Sequence, residues 1–218
     1  MENKQLDYGQ IRREYLSAPL GLNELLSDPV RQFEVWFKHA LHAGVIEPNA
    51  MSLATVDSND MPSVRIVLFK GLHEDRPTFY TNYTSIKASE IAQNPSAAMV
   101  FFWAELARQV RLRGRLSKLD REESDRYFQS RPRYSKIAAW ASAQSQVLKN
   151  REELRANFNK YLEKFGEHGE IPTPPHWGGY CLDVQEWEFW QGRENRMHDR
   201  FRYRKNESGV YVIERLNP

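Results

Sequence analysis

Gln109-Val110-Arg111-Leu112-Arg113-Gly114-Arg115-Leu116 alternates without a break. Side chains on a strand repeat every second residue, so Val110, Leu112, Gly114 and Leu116 share an apolar face while Gln109, Arg111, Arg113 and Arg115 share a basic one. That period belongs to a strand lying on a core, not to a helix. Working outward, strands recur. Residues 97–104 are apolar enough to be buried on both faces. Residues 50–57 and 63–70, joined at Ser58-Asn59-Asp60, read as a hairpin, and 78–82 as a further strand. Residues 179–189, 200–205 and 210–216 follow, the last two joined by a turn at 206–209.

Helices are inserted among them. Asp28 and Pro29 supply a cap and a first helical residue. Phe33, Trp36, Phe37, Ala40 and Leu41 recur at helical spacing, and Gly44 stops the helix. Residues 84–93 form a short helix before Asn94-Pro95. Asp120 and Glu123 make a capping box for a helix through Phe128, and 134–141 form a short one. Residues 150–165 turn Leu154, Phe158, Tyr161, Leu162 and Phe165 inward and stop at Gly166. Six to eight mainly antiparallel strands with inserted helices predict a mainly β, α+β fold closed or nearly closed into a barrel. Residues 28–218 read as one domain, preceded by a polar arm over 1–27.

The 218 residues carry 31 Lys and Arg against 29 Asp and Glu, a net charge of +2. No global polycation exists, so a nucleic-acid-binding barrel would rest on the Arg111/Arg113/Arg115 face alone. The lone Cys181 allows no intrachain disulfide, which fits a reducing compartment. No apolar stretch approaches the ~20 residues of a membrane helix, and the expected setting is the cytoplasm. His39 and His42 lack the acidic or thiol partners of a metal site, so no metal is expected.

Neither glycine-rich phosphate loop occurs, nor a Gly-x-Ser-x-Gly elbow. Cations and hydroxyls instead gather at strand ends and helix starts. Arg65, Lys70, Tyr80, Thr81, Ser85 and Lys87 form one possible phosphate cradle, and Tyr127, Arg131 and Ser135 a second. Further on, 187–203 combines five aromatics with four arginines and a histidine. A strand beginning at Arg196 would aim Arg196 and His198 the same way, into a site for an anionic or polarised substrate.

Arg65-Ile-Val-Leu-Phe-Lys70, Phe79-Tyr-Thr-Asn82, Tyr127-Phe-Gln-Ser-Arg-Pro132, Trp177-Gly-Gly179, Glu188-Phe-Trp-Gln-Gly192 and Arg196-Met-His-Asp-Arg200 occur in order. Together, from Arg12-Arg13-Glu14-Tyr15 to Arg215-Leu216, they closely resemble the pyridoxine (pyridoxamine) 5′-phosphate oxidase family. The resemblance implies an FMN-binding split β-barrel, working as a homodimer with flavin at the subunit interface. It implies oxidation of pyridoxine phosphate or pyridoxamine phosphate to pyridoxal phosphate, with O2 as acceptor and peroxide released, and ammonia too from the amine.

Residue by residue, the resemblance assigns Arg65 and Lys87 to the FMN phosphate. Ile66, Val67, Leu68, Phe69, Lys70, Tyr80, Thr81 and Ile86 line the flavin, and Gln109 reaches its ring. Gln144 and Ser145 come from the second subunit, as do Trp190 and Arg200. Lys70, Tyr127, Arg131 and Ser135 hold the substrate phosphate. Arg196, Met197 and His198 lie at the substrate's ring, with Arg196 and His198 catalytic. Arg12, Arg13, Glu14 and Tyr15 act as a lid. Three positions depart from the family's habit: Ile86 where a basic residue is frequent, Glu47-Pro48 for Asp-Pro, and Arg193 where Gly is frequent. The alternative within the superfamily is a non-oxidase flavin or haem binder, which would not need the second cradle.

Overall fold

The structure, a computed structural model, describes residues 8–10, 14, 15 and 17–218. Contacts divide the chain into two units. One comprises residues up to Pro48 with 102–111 and 187–218, and the other 49–101 with 112–186.

In the larger unit, β1 (Ala50–Val56) and β2 (Pro62–Leu68) form the expected hairpin, with Ala50 opposite Leu68 and Val56 opposite Pro62. The turn is built by Asp57, whose carboxylate accepts from Asn59 N–H at 2.8 Å and Met61 N–H at 2.9 Å, and Asp60 takes φ 61°. β1 pairs on its other edge with β5 (Ser96–Trp103), Ser52 facing Val100. The ladder runs β2-β1-β5-β6-β7-β4-β3, through β6 (Arg108–Lys118), β7 (Trp177–Gln191), β4 (Arg76–Asn82) and β3 (Leu72–His73). This ladder path is open, starting at β2 and ending at β3. The nine strands of the described residues include the two-residue β3, too short to carry a period.

β6 behaves as its alternation dictates: Val110, Leu112, Gly114 and Leu116 are buried, and Arg113 and Arg115 are exposed. Gly114 is required there, because a Cβ would sit 2.0 Å from the Asp183 carbonyl oxygen of β7. β5 departs from expectation. Met99 and Phe101 are buried but Phe102 is 55% exposed, so one face is covered rather than two.

α2 (Ile86–Gln93) starts at Ser85. α3 (Arg121–Ser130) is capped by Asp120, which accepts from Glu123 N–H at 2.8 Å. The reciprocal half of the box is not made, since the Glu123 carboxylate binds Arg126 instead. Pro132 separates α3 from α4 (Arg133–Ala141). α5 (Arg151–Phe165) is capped by Asn150, which accepts from Glu153 N–H at 2.9 Å. Its Phe158, Tyr161, Leu162 and Phe165 pack on a cluster of Phe128, Ile137, Ile171 and Trp177. Leu154, one turn earlier, is exposed.

In the smaller unit, Asp28 caps α1 (Pro29–His42) by accepting from Val30 N–H at 2.8 Å. Phe33, Trp36 and Ala40 are buried, whereas Leu41 is exposed because it lies off the line of those three. Trp36 meets Phe189 edge-on at 5.2 Å, and Phe33 meets Trp187 at 5.7 Å. β8 (Asp199–Lys205) pairs with β7 and with β9 (Tyr211–Leu216), Arg200 facing Leu216. Phe201 and Tyr203 are fully buried. Among the described residues no helix is long and apolar enough to cross a membrane.

Candidate functional site

The larger unit has an open cavity of about 1040 Å³ between β2, β4, α2, α3, α4 and the loop after α4. Two cationic groups line it.

One group in the lining is Arg65, Thr81, Lys87 and Gln144. Thr81 ends β4, and Lys87 lies in the first turn of α2. The Lys87 ammonium lies 3.2 Å from Thr81 Oγ1, 3.3 Å from Ser85 Oγ and 3.0 Å from Gln144 Oε1. All three partners are neutral. Burial and the neighbouring Arg65 charge push the Lys87 pKa down, with Glu90 opposing them. Arg65 projects from β2 and donates to Thr55 Oγ1, to the Leu53 carbonyl at 3.4 Å and to the Glu90 carboxylate at 3.0 Å. Glu90 also accepts from the Thr55 hydroxyl and, at 2.8 Å, from Ser63. Burial works to raise the Glu90 pKa, but these hydrogen bonds and the Arg65 charge outweigh it and hold the group ionised.

A second group in the lining is Lys70, Tyr127, Arg131 and Ser135. Arg131 follows α3 and Ser135 lies in the first turn of α4, so the break at Pro132 sets both at a helix boundary. The Arg131 guanidinium sits 4.8 Å over the Trp177 ring, and its buried Nη1 has no hydrogen-bond partner. Burial lowers its pKa, yet a guanidinium stays charged. Tyr80 stacks on Tyr127 at 3.9 Å and on Trp177 at 5.4 Å. Burial pushes the Tyr80 phenol up to about 12, so it remains a donor. Gly179 permits this column, because a Cβ there would come within 2.8 Å of the Tyr80 ring.

Ile66, Val67, Leu68 and Ile86 line the same cavity. Phe69 is absent from the lining and packs edge-on against Phe101 at 5.7 Å. Gln144 and Ser145, expected from a second subunit, line this cavity within the chain, where Gln144 Oε1 accepts from Thr81.

The remaining predicted residues that the structure describes lie in the smaller unit. Trp190 and His198 rings are 4.7 Å apart, and Tyr15 meets them edge-on at 5.7 and 5.9 Å. The period-two argument for Arg196 and His198 fails. Residues Glu194–Arg196 form a 3-10 turn, Arg196 takes φ 61°, and β8 begins only at Asp199. The two groups still interact: burial first, then the Arg196 charge, lowers the His198 pKa. His198 Nδ1 accepts from Arg193 N–H at 3.1 Å, which puts the neutral ring's proton on Nε2. The Arg193 guanidinium donates to the Ser17 carbonyl and lies 3.7 Å from Asp199. The segment before α1 is thereby tied to the turn that carries His198. Arg200 is held by Glu188 at 2.9 Å, and the same carboxylate accepts from Arg111 at 3.1 Å. Gln109 is half-buried on β6, while Met197 and Glu14 are exposed. Arg12 and Arg13 lie outside the described residues.

Sequence reasoning overlooked Glu90, Thr55 and Ser63, and gave Trp177 no role. A signal for Glu90 was present, since it follows Lys87 by three residues on one helix and so shares its face.

The fold and site define a mainly antiparallel α+β protein whose larger unit has a cavity lined by two groups of cationic side chains. The pyridoxamine 5′-phosphate oxidase family model matches residues 37–165, and the pyridoxine 5′-phosphate oxidase C-terminal dimerisation region matches 177–218. A pyridoxine/pyridoxamine 5′-phosphate oxidase of Salinibacter ruber is 48% identical over 209 residues, 95% of this chain and 97% of that protein. One from Deinococcus deserti is 49% identical over 213 residues, 97% and 99% of the two chains. Among solved structures, PhzG of Burkholderia lata, in complex with tetrahydrophenazine-1-carboxylic acid, superposes with a TM-score of 0.85 at 30% identity, over 93% of this chain and 99% of that one. A pyridoxamine 5′-phosphate oxidase-related, FMN-binding protein of Nostoc punctiforme shares the fold, with a TM-score of 0.71 at 21% identity, over 89% and 100%. This chain belongs to the pyridoxine/pyridoxamine 5′-phosphate oxidase family.

Proposed function

We propose that this protein is an FMN-dependent oxidase that converts pyridoxine 5′-phosphate and pyridoxamine 5′-phosphate to pyridoxal 5′-phosphate. In this reading O2 accepts the electrons, hydrogen peroxide leaves, and the amine also yields ammonia. The observation that carries it is the pair of separate cationic groups in one cavity of about 1040 Å³. A single phosphorylated ligand needs one such group, whereas a phosphorylated cofactor and a phosphorylated substrate need two.

The residues present fit the cofactor. Lys87 is buried against neutral partners only, Arg65 stands beside it, and the apolar Ile66, Val67 and Leu68 offer a surface for a planar ring. Arg65 and Lys87 would hold the FMN phosphate, with Thr81, Gln144 and Ser145 from the same chain. The flavin supplies the redox chemistry once bound. The orphaned Arg131 Nη1, with Lys70, Tyr127 and Ser135, supplies donors for the substrate phosphate.

This chain's part is to orient, to exclude water and to manage charge. In this reading the protein works as a homodimer with FMN at the interface, the partner's Trp190 and the partner's Arg200 reach the flavin, and Gln109 reaches its ring. Arg196 stabilises charge developing on the substrate, and neutral His198 binds or accepts its proton. The segment Arg12–Tyr15 closes over the substrate. The working compartment is the cytoplasm.

The test is direct. Purified protein should be yellow and release FMN on denaturation, and it should make peroxide and pyridoxal phosphate from pyridoxine phosphate in equal amounts. A colourless protein that cannot be reconstituted with FMN would overturn the proposal.

A further inference from the structure

The Arg65 guanidinium has more protein partners than a phosphate-binding arginine needs. Nη1 donates to Thr55 Oγ1 and to the Leu53 carbonyl, and Nη2 donates to Glu90 Oε2. Glu90 is 5% exposed and is held by two hydroxyls, Thr55 on β1 and Ser63 on β2. Thr55 and Glu90 are bonded to each other while binding Nη1 and Nη2, so together they occupy the guanidinium edge between those two nitrogens. A guanidinium has five N–H donors in a fixed plane. Three are spent on the protein, leaving Nε–H and one Nη2–H. Those two lie parallel on the opposite edge, the fork that takes two oxygens of one phosphate.

We infer that Glu90 is a positioning residue for the cofactor phosphate: it turns the Arg65 fork into the cavity and offsets the charge of Arg65 beside Lys87. The inference rests on the reading of this cavity as an FMN site. Glu90 does not touch the ligand in this account and acts only through Arg65. Two cations packed together in a buried place repel, and a carboxylate fixed behind one of them keeps both charged before the anion arrives.

The experiment compares FMN with riboflavin, which has the same ring and no phosphate, by quenching of flavin fluorescence on apoprotein. For Glu90→Gln, FMN affinity should fall about tenfold, the scale of one misaligned charge-assisted hydrogen bond. Riboflavin affinity should stay within about twofold, since the ring contacts remain. Glu90→Asp, which keeps the charge, should recover part of the FMN affinity. If Glu90→Gln does not fold, Thr55→Val removes the hydroxyl that accepts from Arg65 Nη1 and donates to Glu90, loosening the directly bonded pair, and should show a selective loss of the same sign. Equal losses for FMN and riboflavin, or no loss for either, would overturn the inference. Wild-type apoprotein that binds neither flavin would instead overturn the reading of the cavity, and this inference with it.

Discussion

Each arginine at a proposed flavin contact is backed by a buried carboxylate: Arg65 by Glu90, and Arg200 by Glu188, which also holds Arg111. An arginine left to solvent would sample many rotamers, and the carboxylate fixes its plane before any ligand binds. Arg131 is the contrast. It rests on aromatic rings and keeps a buried Nη1 without an acceptor, an arrangement that favours an incoming anion. Arg131→Gln should raise KM for pyridoxine phosphate by roughly 10- to 100-fold, from a loss of ~1.5–3 kcal/mol, and leave unphosphorylated pyridoxine unaffected. Steady-state kinetics on both substrates measures this.

His198 carries a pH prediction. Its folded-state pKa lies below 6.5, so the fold binds that proton less tightly than the unfolded chain does. Its contribution to stability is present above 6.5 and is lost as pH falls through the depressed value. An NMR titration should place its midpoint below 6.5, and Arg196→Leu should move it upward by removing one of the two causes. The same variant should impair turnover far more than flavin binding. Lys87 and Arg131 were legible in the sequence because they stand at helix boundaries, whereas Arg65 lies in the middle of β2. The carboxylate partner of Arg65 was not legible, because Arg65 meets Glu90 across 25 residues of chain that only the fold brings together.

The elements themselves were largely legible, and for local reasons. Asp28, Asp120 and Asn150 cap the helices they precede, and the alternation of β6 survives intact. What misled was composition without period. Residues 97–104 are apolar throughout, yet Phe102 faces outward. Arg196 and His198 sit two apart, yet a turn, not a strand, carries them. Gly114→Ala should destabilise the protein by about 1–3 kcal/mol or more, because the new Cβ meets rigid backbone of β7 and not a movable side chain. Thermal unfolding checks it. Arg193 ties Ser17 to the His198 turn through its guanidinium. Arg193→Gly should therefore make the chain near Ser17 a preferred site of limited proteolysis while leaving the melting temperature within a few degrees.

For the molecule as a whole, two features belong together. The larger unit holds a cavity lined by two groups of cations, and the chain carries a matched dimerisation region at 177–218. On β2, Val64 is 71% and Ile66 65% exposed, and Ile66 also lines the cavity. Sedimentation at micromolar concentration should show a dimer, and a fully active monomer would contradict a site shared between subunits. Assembly was beyond the reach of residue patterns, since an exposed strand face and a covered one have the same alternation. It entered the sequence reading only through resemblance.

The most direct test of the account is the ratio of kcat/KM for pyridoxine 5′-phosphate to that for unphosphorylated pyridoxine, followed as peroxide release by the FMN-loaded protein. Two cationic groups in one cavity predict a large preference for the phosphate ester, and Arg131→Gln should shrink it. Equal kcat/KM for the two substrates would mean that Lys70, Tyr127, Arg131 and Ser135 bind no substrate phosphate, and the assignment of the cavity would fall.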